Sequence, residues 1–257
     1  MYPTRIVCTA AEVPEILDAL GAFDCIVGVS GFSRRPPKVR TLPKVGGFST
    51  VDIEKITILN PDLVITTSNI QAELAAECIR HGIPVLALNP HRLTDVWSTI
   101  LQIGGVVGRQ QAAEDLVAKI QTDLHKIQTS AEALPRHPRI YFEEWHDPPI
   151  SGIGWVSDLI ELAGGVDIFP NLREQYLAQN RVVSFEDVAE RQPEIIIASW
   201  CGKKADLKAI SSRQAFTNVP AVQAGSIYEI KSELVLQTGL SLVQGAHQLH
   251  TLIKDST

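Results

Sequence analysis

Two tryptophans follow apolar runs that predict β-strands, and an indole at such a place can bind a flat ligand. Trp145 lies between the apolar run that starts at Arg139 and the sequence Asp147-Pro148-Pro149, and Trp200 follows the apolar triplet at 195–197. An indole ring presents a flat apolar face while its N–H donates to a polar group. The two prolines stiffen the loop and lower the entropy lost on binding. The pattern favours a site for a bulky, mostly planar molecule; a Trp145 ring packed on the protein surface is the alternative.

Other side chains near predicted strand ends have suitable chemistry. His146 directly follows Trp145, and a neutral imidazole can bind cobalt or iron axially, although an isolated histidine is more often an ordinary polar loop residue. Arg34 and Arg35 precede two prolines and either bind carboxylates or phosphates or form a solvated loop. Phe48 lies between a glycine and a serine, whose small size allows a ligand to approach the backbone closely.

Motifs that carry enzyme chemistry are absent from the sequence. The glycines at 46–47 and 152–154 match neither GxGxxG nor the phosphate-binding GxxxxGK[ST] loop. There is no GxSxG elbow, and the four cysteines show no CxxC spacing. His247 and His250 are predicted to face solvent on a helix. We therefore predict a binding protein rather than an enzyme, with no catalytic residue, catalytic cofactor or resident metal ion. A two-lobed enzyme acting on a nucleotide-linked substrate is the alternative.

The composition is that of an ordinary globular chain of 257 residues, with 45% hydrophobic and 20% charged residues. The net charge of −6, without any basic stripe, gives no reason to expect nucleic acid binding. No apolar segment approaches the length of a membrane span. The first residues lead straight into a predicted strand without the apolar region of a signal peptide, so a chain that starts at Met1 is expected in the cytoplasm.

The sequence contains a long internal repeat. Residues 51–65 read VDIEKITILNPDLVI and residues 183–197 read VSFEDVAERQPEIII, and the two align without a gap at an offset of 132 residues. This distance is too long for a solenoid, whose repeats run to about 50 residues. Arg5-Ile6-Val7-Cys8 and Arg139-Ile140-Tyr141-Phe142 correspond in the same way. The repeat predicts two similar lobes with a cleft between them.

Each lobe reads as alternating strands and helices. Short continuous apolar runs, typical of strands buried on both faces of a parallel sheet, lie at 5–9, 25–29, 62–66 and 84–88, and again near 139–143, 194–199 and 226–230. Residues 109–134 contain neither Gly nor Pro and predict a helix of roughly 35–40 Å. We predict an α/β protein with two Rossmann-like lobes, 1–108 and 135–257, mainly parallel sheets, and one long connecting helix at 109–134.

The predicted topology indicates where a ligand binds. In open α/β sheets, ligands bind outside the carboxyl ends of the strands, and two facing lobes place these ends on opposite walls of a cleft. The candidate ligand-binding residues at these ends are Arg34, Arg35, Phe48 and Ser68 in the first lobe and Trp145, His146, Trp155, Trp200 and Glu233 in the second.

Several segments are similar to those of a known family. They are EILDALGAFDCIVGVS at 15–30, VGGFSTVDIEKITILNPDLVITT at 45–67 and EEWHDPPISG at 143–152. With two α/β lobes and a long helix, the chain resembles the class III periplasmic substrate-binding proteins of ABC importers over nearly its whole length. The EWHDPP segment is most similar to the vitamin B12-binding group.

The resemblance implies a ligand, a partner and a location. The implied ligand is a corrinoid such as cobalamin, and a ferric siderophore or haem is the alternative. Corrinoid binding would depend on Phe48, Trp145 and Trp200, and siderophore binding on Arg34, Arg35, Lys203 and Lys204. Acidic residues on the outer surface of family members dock with arginines of an ABC permease, and the candidates here are Glu73, Glu77 and Glu233. The implied location is periplasmic or otherwise extracytoplasmic, and we expect a monomer.

Overall fold

A computed structural model describes residues 2–257, which form two compact units. The N-terminal unit comprises the chain up to Pro90, Thr94–Ile120 and Thr238–Leu240. The C-terminal unit comprises His91–Leu93, Gln121–Gln237 and Ser241–Thr257. Each unit contains its own sheet and its own helices, so the predicted α/β class is confirmed. The cleft between the lobes stays a prediction.

The N-terminal unit is built on a four-stranded parallel sheet. Its strands are β1 (Ile6–Cys8), β2 (Ile26–Val29), β3 (Leu63–Thr67) and β4 (Val85–Leu88), in the order β2-β1-β3-β4. The helices of this part of the chain are α1 (Val13–Ala19), α2 (Ile53–Ile58), α3 (Ala72–Arg80) and α4 (Leu93–Val106). Strands β1 and β3 are buried on both faces, which explains their continuous apolar sequences.

The predicted long helix is confirmed as α5 (Gln110–Glu132), which has 23 residues. At 1.5 Å per residue it is about 35 Å long. Its buried side chains, among them Ala113, Ile120 and Ile127, recur at helical spacing. Residues up to Ile120 belong to the N-terminal unit, and the rest of the helix belongs to the C-terminal unit.

The C-terminal unit has five strands. They are β5 (Arg139–His146), β6 (Pro149–Ser151), β7 (Val166–Asp167), β8 (Ile195–Ala198) and β9 (Ile227–Glu229), in the order β6-β5-β8-β9 with β7 beside the start of β5. The helices are α6 (Gly154–Leu162), α7 (Phe185–Glu190), α8 (Leu207–Ser211), α9 (Pro220–Gln223), α10 (Ser232–Val235) and α11 (Leu242–Asp255). All strand pairings in this unit are parallel except that of β5 with β6.

The antiparallel β5–β6 hairpin corrects the sequence analysis. Residues 144–149 were expected beyond the end of a strand that stops at 143, but β5 continues through His146 and pairs with β6. Trp145 faces Ile150 across the hairpin, and His146 faces Pro149. Proline is tolerated there because β6 is an edge strand and Pro149 is its first residue. Trp145 and His146 are therefore held in a strand rather than in a loop.

A second correction concerns His250, which does not face solvent. The side chain is buried on the inner face of α11 together with Ala246 and Leu249. Its Nδ1 donates to the carbonyl of Ala163 at 2.9 Å, and its Nε2 lies 2.9 Å from the hydroxyl of Ser130. These two polar contacts offset the cost of burying the imidazole. His247 is exposed, as predicted.

The sequence repeat has a physical basis at the start of β1. The carboxylate of Asp62 accepts the backbone N–H of Thr4 at 2.8 Å and that of Arg5 at 2.9 Å. The guanidinium of Arg5 in turn donates to the carbonyls of Leu59 and Asn60. Asn60 has a φ of 45°, in the left-handed region, and turns the chain from α2 into β3.

The C-terminal unit repeats this arrangement at the start of β5. The carboxylate of Glu194 accepts the backbone N–H of Arg139 at 3.0 Å. The Arg139 side chain donates to the carbonyl of Gln192 at 3.0 Å, and Gln192 has a φ of 48°. In both units a short helix, α2 or α7, is followed by a left-handed residue and a carboxylate that tie it to the first strand. The repeated residues thus form the same turn in both units.

Candidate ligand-binding site

Four side chains meet at the carboxyl ends of β5 and β8, and we call Trp145, His146, Trp200 and Lys203 the aromatic cluster. The His146 ring stacks on Trp200 with 4.2 Å between ring centres, and its centre lies 4.9 Å from that of Trp145. The Lys203 ammonium lies 5.4 Å from the centre of the Trp200 ring, 5.9 Å from that of Trp145 and 3.4 Å from Nε2 of His146.

The strand register explains why the two tryptophans come together. β5 and β8 are parallel neighbours, and Glu143 lies opposite Ala198. Trp145 and Trp200 each lie two positions beyond this pair, and both pack in the same apolar cluster as Tyr141 and Ala198. Trp200 is only 3% exposed and lies beneath His146, whereas Trp145 and His146 are half-buried and Lys203 is exposed. The accessible surface of the cluster is therefore formed by Trp145, His146 and Lys203.

Glu143 fixes the base of the cluster. It is fully buried, and its carboxylate accepts hydrogen bonds from Trp200 Nε1 at 3.1 Å, from both terminal nitrogens of Arg213 and from the Tyr141 hydroxyl. The guanidinium carbon of Arg213 lies 4.2 Å from the ring centre of Phe185, so the cation is flanked by an aromatic face. Burial, together with the Glu143 charge, raises the pKa of Tyr141. Trp200 is thus oriented by a buried ion pair.

A second ion pair, between the buried Arg181 and the half-buried Glu144, holds the hairpin in place. Arg181 is 2% exposed and donates to the carboxylate of Glu144 at 2.6 and 3.2 Å, and also to the carbonyl of Ser151. Val183 N donates to the carbonyl of Pro149 at 3.0 Å. Trp145 donates its own ring N–H to the carbonyl of Asp147 at 3.0 Å. The hairpin is therefore held on both of its strands, and the orientation of the Trp145 ring is set before any ligand arrives.

His146 has one nitrogen engaged and one unsatisfied. Its Nε2 lies next to the Lys203 ammonium, which can only donate, so Nε2 is the acceptor and Nδ1 carries the hydrogen in the neutral ring. Nδ1 is buried and has no hydrogen-bond partner among the described residues. An axial bond from Nε2 to a metal would require Lys203 to move away. Axial ligation by His146 stays a prediction.

Trp155 and Glu233, also predicted to contact a ligand, lie outside the aromatic cluster. Trp155 is 8% exposed in α6, and its ring N–H donates to the carbonyl of Val235 at 2.8 Å. Glu233 is half-buried in the first turn of α10, and its carbonyl accepts a hydrogen bond from Ser241. Little of the Trp155 ring is accessible, and ligand contacts by either residue stay predictions.

In the N-terminal unit, Phe48 borders a pocket of about 190 Å³. The pocket is lined by Phe48, Ser49, Val51, Ile70, Gln71, Glu73, Leu74 and Glu77. It therefore brings a predicted ligand-binding residue together with two predicted docking residues. Glu73 is exposed and forms an ion pair with Arg80 at 2.7 Å. Neither ligand contact by Phe48 nor docking by the two glutamates is tested by this arrangement.

Gln71 is a buried residue of this pocket that the sequence analysis missed. Its side-chain nitrogen donates to the carbonyls of Phe48 at 2.9 Å and Thr9 at 3.3 Å. Its side-chain oxygen accepts the Thr67 N–H at 3.0 Å and the Thr9 hydroxyl. Gln71 thus ties the ends of β1 and β3 to the Phe48 loop. The only feature of the sequence that could have indicated Gln71 is its position four residues after the end of β3.

Ser68, predicted to contact a ligand, has a φ of 59° and accepts the N–H of Ile70 with its hydroxyl.

Arg34 and Arg35 have different surroundings in the structure. Arg35 donates to the carboxylate of Glu15 at 3.1 Å, whereas Arg34 is exposed. Glu12, directly before α1, is buried and accepts a hydrogen bond from the hydroxyl of Thr238 at 3.0 Å. Burial raises the pKa of Glu12. The ion pair of Arg35 with Glu15 disfavours an anion-binding role for the two arginines as a unit, and their ligand contacts stay predictions.

No group of three or more His, Cys, Asp or Glu side chains within residues 2–257 is arranged to hold a metal ion. None of the helices in the same range is long and apolar enough to cross a membrane.

Comparison with known proteins decides the family. Residues 6–234 match the periplasmic binding protein family. The chain belongs to that family. The predicted relationship to substrate-binding proteins is thereby confirmed, and its members are periplasmic or extracytoplasmic transport proteins.

Relatives and solved structures agree with this assignment. The chain is 28% identical to the uncharacterized ABC transporter substrate-binding lipoprotein YvrC of Bacillus subtilis, over 99% of this chain and 81% of that protein. It is 27% identical to the vitamin B12-binding protein of Vibrio cholerae, over 82% of this chain and 79% of that protein. The fold matches the haem-binding protein RhuT of Roseiflexus (TM-score 0.85, 22% identity, 98% of both chains). It also matches the vitamin B12-binding protein BtuF of Vibrio cholerae (TM-score 0.79, 24% identity, 99% and 98% of the chains).

Proposed function

We propose that this protein is the substrate-binding component of an ABC importer and that its ligand is a corrinoid. The observation that carries the ligand assignment is the aromatic cluster, in which Trp145 and His146 present ring surface at the carboxyl end of β5, beside that of β8. Flat apolar surface removed from water stabilises such a complex, by about 25 cal/mol per Å² before the costs of association. The names of relatives with 26–27% identity support a corrinoid as the ligand.

The braced hairpin makes this surface suited to binding. Because Arg181 and the Trp145 N–H hold the hairpin in one geometry, little side-chain entropy remains to be lost when a ligand binds. We infer that the metal of the corrinoid is not bound by a cluster of protein side chains, since the described residues contain none. The protein therefore recognises the macrocycle and its substituents, and no chemical step is assigned to it.

Haem is the second candidate ligand, because haem-binding proteins are among the proteins with the same fold. A ferric siderophore is the third, and would depend on Arg34, Arg35, Lys203 and Lys204. The proposed partner is an ABC permease, with Glu73, Glu77 and Glu233 as docking candidates. The proposed location is extracytoplasmic, and the protein is proposed to act as a monomer with lobes at 1–108 and 135–257.

The experiment that tests this function is an absorbance titration with four ligands: cyanocobalamin, dicyanocobinamide, haemin and a ferric hydroxamate. We expect the corrinoids to bind, and Trp145→Ala to weaken their binding by about 10-fold or more, since a buried aromatic contact exceeds about 1.4 kcal/mol. Tyr2→Ala is the matched control, because Tyr2 is exposed and precedes the amino end of β1. Binding of haemin or the hydroxamate alone would overturn the corrinoid assignment, and binding of none would overturn the function.

A further inference from the structure

Lys203 is positioned by the turn that follows β8. Its backbone N–H donates to the carbonyl of Trp200 at 3.2 Å, and the intervening Gly202 has a φ of 69°, which an L side chain rarely adopts. Gly202 N also donates to the Ser232 hydroxyl at 3.4 Å. The turn directs the Lys203 side chain back over the rings of Trp145 and Trp200. The position of the ammonium is therefore set by the backbone as well as by the rings.

The charge of Lys203 is not neutralised by the protein. Within residues 2–257 no carboxylate forms an ion pair with it, whereas Arg181 is paired with the half-buried Glu144 and Arg213 with the buried Glu143. Two indole faces attract the cation, and His146 Nε2 accepts one of its three N–H donors. An unneutralised cation on the accessible side of an aromatic surface is suited to bind an anion.

We propose that Lys203 determines specificity by binding an anionic oxygen group, a phosphate or a carboxylate, on the rim of the flat ligand that covers Trp145. This inference rests on the proposed function. The ligand ring contacts the exposed surface of the aromatic cluster, and a substituent at its edge reaches the ammonium beside that surface. His146 acts as a positioning residue, since its Nε2 holds the ammonium next to the rings. The chain has a net charge of −6, so Lys203 is a local attraction for anions on a protein that repels them overall.

Binding measurements with three ligands distinguish the contribution of the Lys203 charge from that of its apolar packing. Cyanocobalamin carries a phosphodiester, haemin carries two carboxylates, and dicyanocobinamide has the corrin ring without the phosphate. We expect Lys203→Met to weaken binding of whichever anionic ligand the wild type binds by about 10-fold, the equivalent of a charge-assisted hydrogen bond of about 1.4 kcal/mol. Dicyanocobinamide binding should change by less than about 2-fold, because methionine keeps the apolar stem. The loss should shrink as salt rises from about 0.02 to 0.5 M.

Lys208→Met is the matched control, since Lys208 is an exposed lysine on α8 outside the aromatic cluster. It should leave all three affinities unchanged. A loss with cyanocobalamin alone assigns a phosphate, and a loss with haemin alone assigns a carboxylate. Equal weakening of dicyanocobinamide would show that Lys203 acts by packing, and unchanged binding of every ligand would show that it does not act at all. Either result overturns the inference and leaves the proposed function standing, whereas a wild type that binds no ligand overturns both.

Discussion

At the scale of single residues, the aromatic cluster depends on a side chain that no ligand would touch. Glu143 is buried beneath it and holds Trp200, Arg213 and Tyr141 through hydrogen bonds. A buried carboxylate is stable only while its partners satisfy it, and the same holds for the cation opposite. The Arg213 side chain is 13% exposed and is flanked by Phe185. Losing either charge leaves the other without compensation in an apolar region.

Replacing Glu143 tests this dependence. Glu143→Gln should lower the free energy of unfolding by roughly 3–5 kcal/mol, the usual cost of breaking one side of a buried ion pair. The double variant Glu143→Leu, Arg213→Met removes both charges and should regain most of that loss. Urea unfolding followed by circular dichroism measures both variants. A single variant as stable as the wild type would show that the pair does not support the cluster.

The residues of the site divide into those the sequence predicts and those it does not. Trp145 and Trp200 were found because each follows an apolar run at a strand end, which is a local signal. Glu143 and Gln71 were not found as polar anchors, because a buried polar residue is explained only by its partner, and Arg213 is 70 residues away from Glu143. The role of Lys203 likewise depends on rings from two strands. Long-range pairing of this kind leaves no periodic pattern in a single sequence.

At the scale of elements, the longer parallel strands were predictable, whereas the hairpin and the two-residue strand β7 were not. The central strands β1, β3 and β8 are mostly apolar runs buried along their whole length, which gives them a clear composition. Strand β6 has only three residues, too few to show alternation, and it begins with proline, which is depleted in strands. Yet β6 is the element that turns Trp145 and His146 from loop residues into strand residues. The part of the fold nearest the site is therefore the part with the weakest sequence signal.

Two consecutive glycines in α4 allow another element-scale test. A Cβ built on Gly104 would lie 2.4 Å from the Cβ of Ala113, whereas one on Gly105 would have nothing within 4 Å. Gly104→Ala should therefore destabilise the protein by about 1–3 kcal/mol, because α4 and α5 must separate. Gly105→Ala should stabilise it by about 0.5–1 kcal/mol, since alanine is the better helix former and the site is open. Thermal unfolding measures both, and a stabilising Gly104→Ala would contradict the close packing of these helices.

At the scale of the whole molecule, the repeat explains why the fold was predictable while the ligand stays a proposal. Asp62 and Glu194 perform the same task in the two units, and so do Arg5 and Arg139. The repeated residues specify the turn into a central strand, so the repeat predicts the fold but not the ligand. The aromatic cluster, by contrast, belongs to one unit and has no counterpart in the repeat. Specificity resides in the departures from the repeat, which symmetry does not predict.

Substitutions of Asp62 and Glu194 test whether these two carboxylates stabilise their units in the same way. Partial burial would raise the pKa of Asp62, but hydrogen bonds from Thr4 and Arg5 outweigh it and lower the pKa. A folded pKa below the unfolded value of about 3.9 means that Asp62 stabilises the protein above that pH and loses its contribution as the pH falls through the folded pKa. Asp62→Asn should thus cost about 1 kcal/mol at pH 7, and the difference from the wild type should narrow below about pH 4.

Glu194→Gln should be destabilising at pH 7 for the same structural reason, since it weakens the hydrogen bond to the Arg139 N–H. The two sites share no hydrogen-bond partner, so the double variant should lose the sum of the single losses to within about 0.5 kcal/mol. Urea unfolding at pH 7 and pH 3.5 measures all three variants. If Asp62→Asn lowered the free energy of unfolding by the same amount at pH 3.5 as at pH 7, the stabilisation by Asp62 would not depend on its charge. If the double variant were as stable as the less stable single variant, the unfolding measured would report on only one of the two units.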